Sequence, residues 1–569
     1  MSDGRWPVFA SLAGYRRDGI RPDVVAGITV WAVLVPEALA YAGIAGVDPV
    51  VGLYAAVPAL VLYAAFGSSR QLVVGPMSAT AALSAAIVAP IAAGDPGRYL
   101  ALTTALALAT GAVALAAGLA RLGFVAAFIS EPVLKGFIVG LALTILIGQV
   151  PALLGVAGGH GNFFAKTWAV LGDLGAVHGT TAALGGLSLA AVLLLRRLLP
   201  RVPGSLLVVL AGIAAATWLD LPDRGVEVVG HIDPGLPRPG LPAGLSLDDY
   251  LDLLGPAVGV VLIGFAEGLG AARTYAARTG DRIDPDRELA GLGTANLGAG
   301  LCAGMVVNGS LSKTAVNGAA GARSQVSGLV VAALAVLTLL LLTGLFENLP
   351  EATLAAVVIA AVLELIDLPA LARLYRVWTR RLGALYGPAA RVDFLAAIAA
   401  LAGVLVFDTL PGLLIGIGVS VLLLLYRASR PHVAALTGHD GLWVDRARHP
   451  ELPAPDDDTV VVRVEAGLFF ANADWVADHI RALVTEHTRL VVLDAETSPF
   501  VDVTAAGVLA RLATALAGDG VTLRLARDVG QARDVLRRLS EQGVRIPVYA
   551  TVDEALAAEL PGRRDDRPE

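Results

Sequence analysis

Charge is scarce in this sequence of 569 residues, since only 16% of them are Asp, Glu, Lys or Arg while 56% are hydrophobic. Only three lysines occur, at positions 135, 166 and 313. The mean hydropathy of +0.71 excludes an ordinary soluble protein and a disordered one. The 64 glycines fit a protein that crosses the bilayer many times, because small residues let transmembrane helices pack closely.

Other absences narrow the function. The single cysteine, Cys302, excludes an internal disulfide, so nothing indicates an oxidising compartment. A formal charge of -7 without a basic domain argues against nucleic acid as a partner. No HExxH, HxxEH, GxSxG or P-loop spacing occurs, so neither a metal, a cofactor nor an enzymatic activity is predicted. The first twenty residues are polar and lack the apolar core of a signal peptide, so no cleavable signal is expected.

Apolar runs follow one another with brief polar breaks up to about residue 430. We predict about fourteen transmembrane segments, some of them shorter than the roughly 20 residues that a straight spanning helix needs. The predicted segments are 24–43, 51–67, 76–92, 99–119, 124–149, 180–199, 204–219, 250–272, 288–304, 311–321, 325–345, 351–366, 392–408 and 411–427.

The distribution of arginine predicts the orientation of these segments. If the N-terminus is cytoplasmic, the connections after even-numbered segments are cytoplasmic too, and they are the arginine-rich ones, with Arg70, Arg121 and Arg196 among them. Arginine and lysine are enriched in cytoplasmic connections. We therefore expect a multi-pass protein of the plasma (inner) membrane with both termini in the cytoplasm.

The sequence becomes charged and soluble in character after residue 430. Strand-like runs at 461–473 and 490–496 alternate with amphipathic helical patterns, which is typical of a small α/β domain. We predict that this domain covers residues 459–560, after a linker at 431–458 that is rich in proline and acid near its end. A tail follows at 561–569.

Two short stretches resemble each other, LVVGPMSATAAL at residues 72–83 and MVVNGSLSKTAV at residues 305–316. They begin the third and the tenth predicted segments, which hold the same place in two halves of seven. Such paired, interrupted segments indicate the binding site of a transporter. A helix that begins inside the membrane presents unpaired N–H groups and a positive dipole end, which together attract an anion. We also expect the valines before each helix to pair as short strands, so that their backbone groups are satisfied.

Lys313 lies among the hydroxyl groups of Ser310, Ser312 and Thr314. We interpret the lysine as a charge that strengthens anion binding and the hydroxyls as additional donors. Two alternatives stay open at this point. Lys313 can extend to a membrane interface, and the serines can hydrogen-bond to their own helix.

Two acids lie within predicted segments, Glu37 and Glu267. An ionisable side chain inside a membrane segment is costly and therefore indicates a function, here the gain and loss of a proton coupled to anion movement. The alternative is an acid that a cation across the bundle neutralises, with Lys313 as the obvious partner. Tyr41, one turn after Glu37, either lines the same cavity or packs against a neighbouring helix.

Specific motifs occur in residues 23–76, which begin DVVAGITVWAVLVPEALAYAG, and in residues 278–329, which contain GLGTANLGAGLCAGMVVNGSLSKTAVNG. Both stretches resemble the SulP anion transporters, the sulfate permease family, and the tail resembles the STAS domain that typically follows. The resemblance implies a polytopic α-helical transport domain at 23–430, after a cytoplasmic segment at 1–22. It also implies an inverted repeat of seven plus seven segments.

The resemblance implies a mechanism as well. Segments 1–4 and 8–11 are expected to form a core domain, and segments 5–7 and 12–14 a gate domain. The core moves relative to the gate like an elevator, often within a homodimer, and the anion binds between the starts of segments 3 and 10. The expected anion-binding residues are Tyr41, Met77, Ser78, Ser310, Leu311, Ser312 and Lys313.

The chain departs from many members of the family at two positions. They have glutamine in place of Glu37 and arginine in place of Lys313. The glutamate resembles prokaryotic, proton-coupled members, and Glu267 matches an acidic position of segment 8 that is implicated in cation coupling. A sodium-coupled relative is expected to carry a hydroxyl one turn later, where this chain has Ala271, so we favour protons over sodium.

The STAS-like tail contains one candidate regulatory residue. Relatives present a phosphorylatable serine in a turn where this chain has DVTAAG, residues 502–507, which offers Thr504. The alternative for Asp502 or Thr504 is a plain helix N-cap.

We therefore predict a secondary active transporter of a small anion such as sulfate, bicarbonate or a dicarboxylate, driven by proton symport. Its expected partners are the anion, protons, the lipid bilayer, a second copy of the chain and a cytoplasmic regulator at the STAS domain. Alternatives are an anion exchanger, an uncoupled channel, or a regulatory membrane protein that acts mainly through its STAS domain.

Overall fold

A computed structural model describes residues 8–12, 14–124, 130–159, 161–199, 203–231, 234–363, 365–376, 392–407, 409–439, 442–453, 456–527 and 546–559. These residues divide into two compact units. The first comprises those up to residue 376 and from 393 to 420, and the second comprises Val392 and those from 421 onward.

Seventeen α-helices and one pair of short strands are described before residue 430. The helices are α1 (Ile20–Ala45), α2 (Pro49–Phe66), α3 (Ser78–Ala92), α4 (Pro96–Leu119), α5 (Glu131–Leu154), α6 (Phe163–Gly172), α7 (Gly179–Leu198), α8 (Gly204–Trp218), α9 (Leu247–Thr279), α10 (Pro285–Leu301), α11 (Leu311–Ala319), α12 (Val326–Leu341), α13 (Thr343–Phe346), α14 (Glu351–Leu363), α15 (Leu368–Arg376), α16 (Val392–Phe407) and α17 (Thr409–Ser429). The strands are β1 (Val73–Gly75) and β2 (Asn308–Ser310).

Each of the fourteen predicted segments overlaps one of these helices. The prediction omits α6 and α15, because helices of about ten residues or fewer carry too little hydrophobic periodicity to identify without a further motif, and α13 overlaps the end of the predicted segment 325–345. Within the described chain, seven segments are long and apolar enough to cross a membrane by length and composition. Several other apolar helices, α3, α8 and α12 among them, have 15 or 16 residues. The number of spans and their division into seven plus seven therefore stay predictions.

Glycine explains the close packing of α4 against α10. A Cβ atom at Gly111 of α4 would lie 2.5 Å from the backbone nitrogen of Leu297, and one at Gly293 of α10 would lie 2.5 Å from that of Leu115. Real Cβ atoms do not approach other atoms so closely, so both positions require glycine. Backbone-to-backbone packing of this kind joins transmembrane helices tightly, since lipid supplies no hydrophobic force between them.

The two short strands pair antiparallel, with Val73 opposite Ser310 and Gly75 opposite Asn308. The prediction is right for β1, which contains the expected valines, and wrong for β2, which begins after Val307. The reason is a side chain: the Asn296 amide accepts from Val307 N at 3.0 Å and donates to Val307 O at 2.9 Å. Because these backbone groups are already satisfied, the strand pairing starts one residue later.

A buried carboxylate fastens the loop between α2 and β1 to α10. Glu288 is fully buried, and its Oε1 accepts hydrogen bonds from Ser68 N at 2.8 Å, Ser68 Oγ at 2.7 Å and Ser69 N at 3.0 Å. Its Oε2 accepts from the Tyr63 hydroxyl at 2.7 Å. Four donors thus stabilise one buried charge, which is the condition for keeping it charged.

Asp23 fastens α1 in the same manner to the loop between α11 and α12. It is fully buried and accepts from Arg323 N at 2.6 Å, Ser324 Oγ at 2.7 Å and the Tyr15 hydroxyl at 2.8 Å. Burial and the neighbouring carboxylate raise the pKa of Tyr15 to about 12, so its hydroxyl stays protonated and donates.

We expect Glu288→Gln to lower the free energy of unfolding by about 1–3 kcal/mol, because an amide NH2 then meets donors that need an acceptor. The midpoint of thermal unfolding in detergent measures this loss. Asp252→Asn is the control, since it removes a charge from an exposed carboxyl of α9. Equal midpoints for the two variants would show that the Glu288 network does not stabilise the fold.

The second unit contains a six-stranded sheet in the order β4-β3-β5-β6-β7-β8. Strands β5 to β8 are parallel, and β3 is antiparallel to both of its neighbours. Its strands are β3 (Val433–His439), β4 (Leu442–Asp445), β5 (Thr459–Val464), β6 (Leu490–Asp494), β7 (Thr522–Ala526) and β8 (Val548–Tyr549), and its helices are α18 (Ala473–Leu483), α19 (Val503–Gly518) and α20 (Val552–Ala557). Helices α18 and α19 meet one face of the sheet in a core that includes Val462, Ile480, Leu493 and Leu512, and α20 packs against the other face.

The sheet differs from the prediction at its start. Strands β3 and β4 lie within residues 431–458, the predicted linker, and β3 pairs with β5. Both strands are short, and only β4 lies at the edge of the sheet, so neither carries the long apolar run that identifies a strand in the sequence. The predicted tail at 561–569 lies outside the described residues.

Asp502 is the N-cap of α19. Its carboxylate accepts from Ala505 N at 2.7 Å and from Phe470 N at 2.8 Å. Thr504 lies in the first turn of this helix and is exposed. Its phosphorylation stays a prediction, whereas the capping role belongs to Asp502.

Candidate anion site

The starts of α3 and α11 meet at the strand pair. Because β1 and β2 are antiparallel and each leads toward its helix, the chain leaves the pair at opposite ends, toward α3 at one end and α11 at the other. The two helix starts therefore lie at opposite ends of roughly 10 Å of strand. No side chain caps α3, and one N–H of α11, that of Lys313, donates to Ser310 Oγ at 3.3 Å. The other first-turn N–H groups and both dipoles favour an anion at this place.

Lys313 is buried, with 1% of its side chain exposed. Its Nζ lies 2.8 Å from Glu37 Oε2, donates to Pro76 O at 3.1 Å and lies 4.9 Å from the centre of the Tyr41 ring. The lysine thus joins α11 to α1 and to the start of α3. The alternative in which Lys313 extends to a membrane interface is wrong.

Glu37 lies on α1, with 4% of its side chain exposed. The sequence left two interpretations of Glu37 open, a proton carrier or an acid that a cation neutralises. The ion pair with Lys313 corresponds to the second of them. An ion pair in a low-dielectric interior has no net charge, and removing either partner leaves an unpaired buried charge. The two roles are compatible, because a proton on Glu37 would leave the lysine free to attract another anion.

The other predicted residues lie around this pair at different depths. Tyr41 and Ser78 are buried, and Met77 is half-buried. Ser310 Oγ and Ser312 Oγ are 3.1 Å apart. Leu311 is 55% exposed and Ser312 is exposed, so the first turn of α11 has one open side. The structure therefore brings Lys313, Glu37, Tyr41 and Pro76 together and places Ser310 beside Ser312.

Glu267 lies on α9 and is half-buried. Its Oε2 is buried and has no hydrogen-bond partner among the described residues. The ion pair of Lys313 is with Glu37 and not with this acid. Glu267 thus keeps a carboxyl oxygen that can hold a proton or accept a donor.

Contrary to our expectation from the sequence, Thr314 does not offer its hydroxyl to the anion. It is fully buried, and its hydroxyl donates to Ser310 O at 2.5 Å and accepts from Val73 N at 3.1 Å. These bonds tie the first turn of α11 to β1. Thr314 therefore holds the two helix starts in place, and its hydroxyl is not free to contact an anion.

Buried amide side chains also hold the two helix starts in place, and the sequence analysis missed this role. Asn317 donates to Gln71 O at 2.9 Å, and Gln325 donates to Ser69 O and Leu72 O, both at 2.9 Å. Together with Asn296 they satisfy the irregular backbone around the strands. The available signal was the presence of uncharged amides within apolar segments, where each requires a partner.

Comparison with known proteins identifies the two parts of the chain. The family model described as the sulfate permease family matches residues 20–385. The model of the STAS domain matches residues 449–555.

Relatives match over almost the whole length. The chain is 36% identical over 546 residues to a protein of Mycobacterium tuberculosis described as a probable sulfate transporter, with 95% of each chain covered. It is 30% identical over 534 residues to sulfate transporter 1.3 of Arabidopsis thaliana, with 88% of this chain and 78% of that protein covered.

Solved structures show the same fold. Murine solute carrier 26 family member A9, an anion transporter in its inward-facing state, matches with a TM-score of 0.87 and 22% identity, over 98% of this chain and 95% of that one. The transmembrane domain of the cyanobacterial bicarbonate transporter BicA matches with a TM-score of 0.61 and 22% identity, over 70% of this chain and 98% of that one. The prediction of a helical membrane fold followed by a STAS domain is confirmed.

Proposed function

The chain belongs to the sulfate permease family of membrane anion transporters and carries a STAS domain, and from this premise we propose that it is a proton-coupled anion symporter. The observation that carries the proposal is the buried pair of Lys313 and Glu37, with Nζ and Oε2 2.8 Å apart, beside the start of α3.

Charge balance links the anion to the proton. In the paired state the site is neutral, so an anion that enters alone leaves an uncompensated buried negative charge, which is costly. If Glu37 takes up a proton at the same time, Lys313 pairs with the anion and neutrality is kept. A proton and a monovalent anion thus bind together, and each raises the affinity of the site for the other.

Glu267 is the second candidate for proton coupling. A divalent anion such as sulfate brings one negative charge more than the lysine can balance. The partnerless Oε2 of Glu267 supports this acid as the acceptor of a further proton. The hydroxyls of Ser310 and Ser312 supply neutral donors of the kind that an oxyanion accepts.

An elevator movement accounts for alternating access. The residues of the site come from α1, α3 and α11, which belong to the predicted core. Lys313 joins α11 to α1 and to Pro76 before α3, and Thr314 ties α11 to β1. Such a unit can carry its anion across the membrane without rearranging the site. The elevator movement stays a prediction, and so do the homodimer, the cytoplasmic termini and the plasma-membrane location.

Uptake into proteoliposomes tests the proposed function. Sulfate is the first anion to test, because relatives are sulfate transporters, and bicarbonate and fumarate are the comparison anions. We expect one of them to accumulate only under an inward proton gradient, and a protonophore to abolish the accumulation. Flux that is indifferent to the gradient would instead support an exchanger or a channel.

A further inference from the structure

A small, partly polar cavity lies behind β2, inside the first unit. It lies between α3, α4, α9 and α10 and has a volume of about 10 Å³. Thr80, Thr110, Asn296 and Asn308 supply the polar part of its lining. Neither Lys313 nor Glu37 lines it, so it is distinct from the candidate anion site.

Two side chains in this cavity have polar atoms without partners. Asn308 is 1% exposed, and neither its Nδ2 nor its Oδ1 has a hydrogen-bond partner among the described residues. Thr110 is 3% exposed, and its Oγ1 likewise has none there. Buried amides and hydroxyls are almost always bonded to protein or to ordered water, because an unsatisfied one is destabilising.

The fold makes room for Asn308. A Cβ atom at Gly264 would lie 3.1 Å from its Cγ, and one at Gly268 would lie 3.3 Å from its Oδ1. The two glycines of α9 thus leave room for the Asn308 side chain. An apolar side chain could occupy the same space and would need no hydrogen-bond partner.

The free hydrogen-bonding capacity of the cavity identifies the kind of ligand. The Asn308 amide has donors and an acceptor, and the Thr110 hydroxyl can do either. Thr80 donates to Met77 O at 3.2 Å and keeps its lone pairs, whereas the amide of Asn296 is already bonded to Leu292 and Val307. Among the residues known to line the cavity none is charged, so an ion would be uncompensated there. A neutral ligand that both donates and accepts is required.

We propose that this cavity is a water site, in which an ordered water bridges the Asn308 amide and the Thr110 hydroxyl. The part of the cavity that is wide enough for a whole water has about the size of one. Asn308 is the first residue of β2, and β2 leads directly into α11. The water therefore fixes the strand that positions Lys313.

Thr110→Val tests the proposal by the sign of its effect on thermal unfolding. Valine has nearly the same shape and no hydroxyl. If the hydroxyl binds water, its loss lowers the unfolding midpoint of the full-length protein by about 2 °C. If the cavity is dry, the loss of an unsatisfied group raises the midpoint, and the proposal is overturned.

Thr103→Val is the matched control, because Thr103 is buried on the same helix and its hydroxyl donates to Tyr99 O within that helix. Asn308→Leu and the double variant with Thr110→Val complete a double-mutant cycle. If one water bridges the two side chains, the changes in the unfolding midpoint of the single variants do not add up to that of the double variant. Additive effects would exclude the bridge.

A density map of the wild-type protein at a resolution that shows waters tests the site without any variant. We expect a peak within hydrogen-bonding distance of both Asn308 and Thr110. A well-ordered cavity without such a peak would contradict the proposal, even if both variants fail to fold. Because this test involves no transport, its outcome is independent of the proposed symport.

Discussion

Lys313→Ala is expected to weaken binding of the transported anion by about 10- to 100-fold, as loss of a charged hydrogen bond predicts. The lysine is the only side chain with a formal positive charge among the predicted site residues, and its Nζ lies 2.8 Å from Glu37 and 3.1 Å from Pro76 O. Without it, the anion keeps only the helix N-termini and hydroxyl groups. Equilibrium binding of labelled sulfate or of the anion identified by uptake measures the change.

Two further variants separate binding from folding. Removing one member of a buried ion pair destabilises a protein, so Lys313→Ala alone can also reduce the amount of folded protein. The double variant Glu37→Gln with Lys313→Met leaves no unpaired charge, and we expect it to fold normally and still to bind the anion weakly. Lys313→Arg keeps the charge and is expected to retain most of the affinity. Wild-type affinity in folded Lys313→Ala would exclude the proposed role of the lysine.

Glu37→Gln is expected to abolish accumulation of the anion under a proton gradient while exchange of external for internal anion continues. Glutamine has nearly the same shape but cannot take up a proton, so anion binding no longer depends on proton binding. Lys313 then has no carboxylate partner and is available to the anion whether or not a proton is bound. Uptake with an imposed gradient and counterflow without one, measured on the same proteoliposomes, separate the two activities.

Glu267→Gln is the matched comparison for this prediction. If accumulation is lost in Glu267→Gln and kept in Glu37→Gln, the proton is carried by the acid of α9, and the pair of Glu37 and Lys313 is structural. If each variant still concentrates the anion when the pH gradient is imposed, neither acid alone is the required coupling group.

The predicted anion site stays a prediction, and the structure shows which of its residues are in contact. The likeness of residues 72–83 to 305–316 identified the starts of α3 and α11, because interrupted segments have local sequence signals in glycine, proline and hydroxyl residues. The partner of Lys313 stayed open between an interface, an anion and an acid. Only the packing of α1 against α11 decides it, since Glu37 and Lys313 are 276 positions apart in the chain.

Supporting residues were harder to identify for the same reason. Nothing local to Thr314 distinguishes a hydroxyl that contacts an anion from one that accepts Val73 N. Likewise, nothing local to Asn296 shows that its amide bonds to Val307, eleven residues later, so that the strand pairing begins only after Val307. The strands β3 and β4 were missed because their positions in the sheet depend on the pairing of β3 with β5, which lies beyond a polar stretch.

The sequence by itself determined the membrane fold, the apolar segments, the STAS-like α/β domain and the two helix starts, because each of these depends on composition and on periodicity along the chain. The tertiary structure alone decided that Lys313 is buried against Glu37, that Thr314 and Asn296 are used as supports, and that Asn308 faces a polar cavity. The physical reason is that a buried charge or amide is defined by its partners, and in a many-helix protein those partners come from segments far away in the sequence.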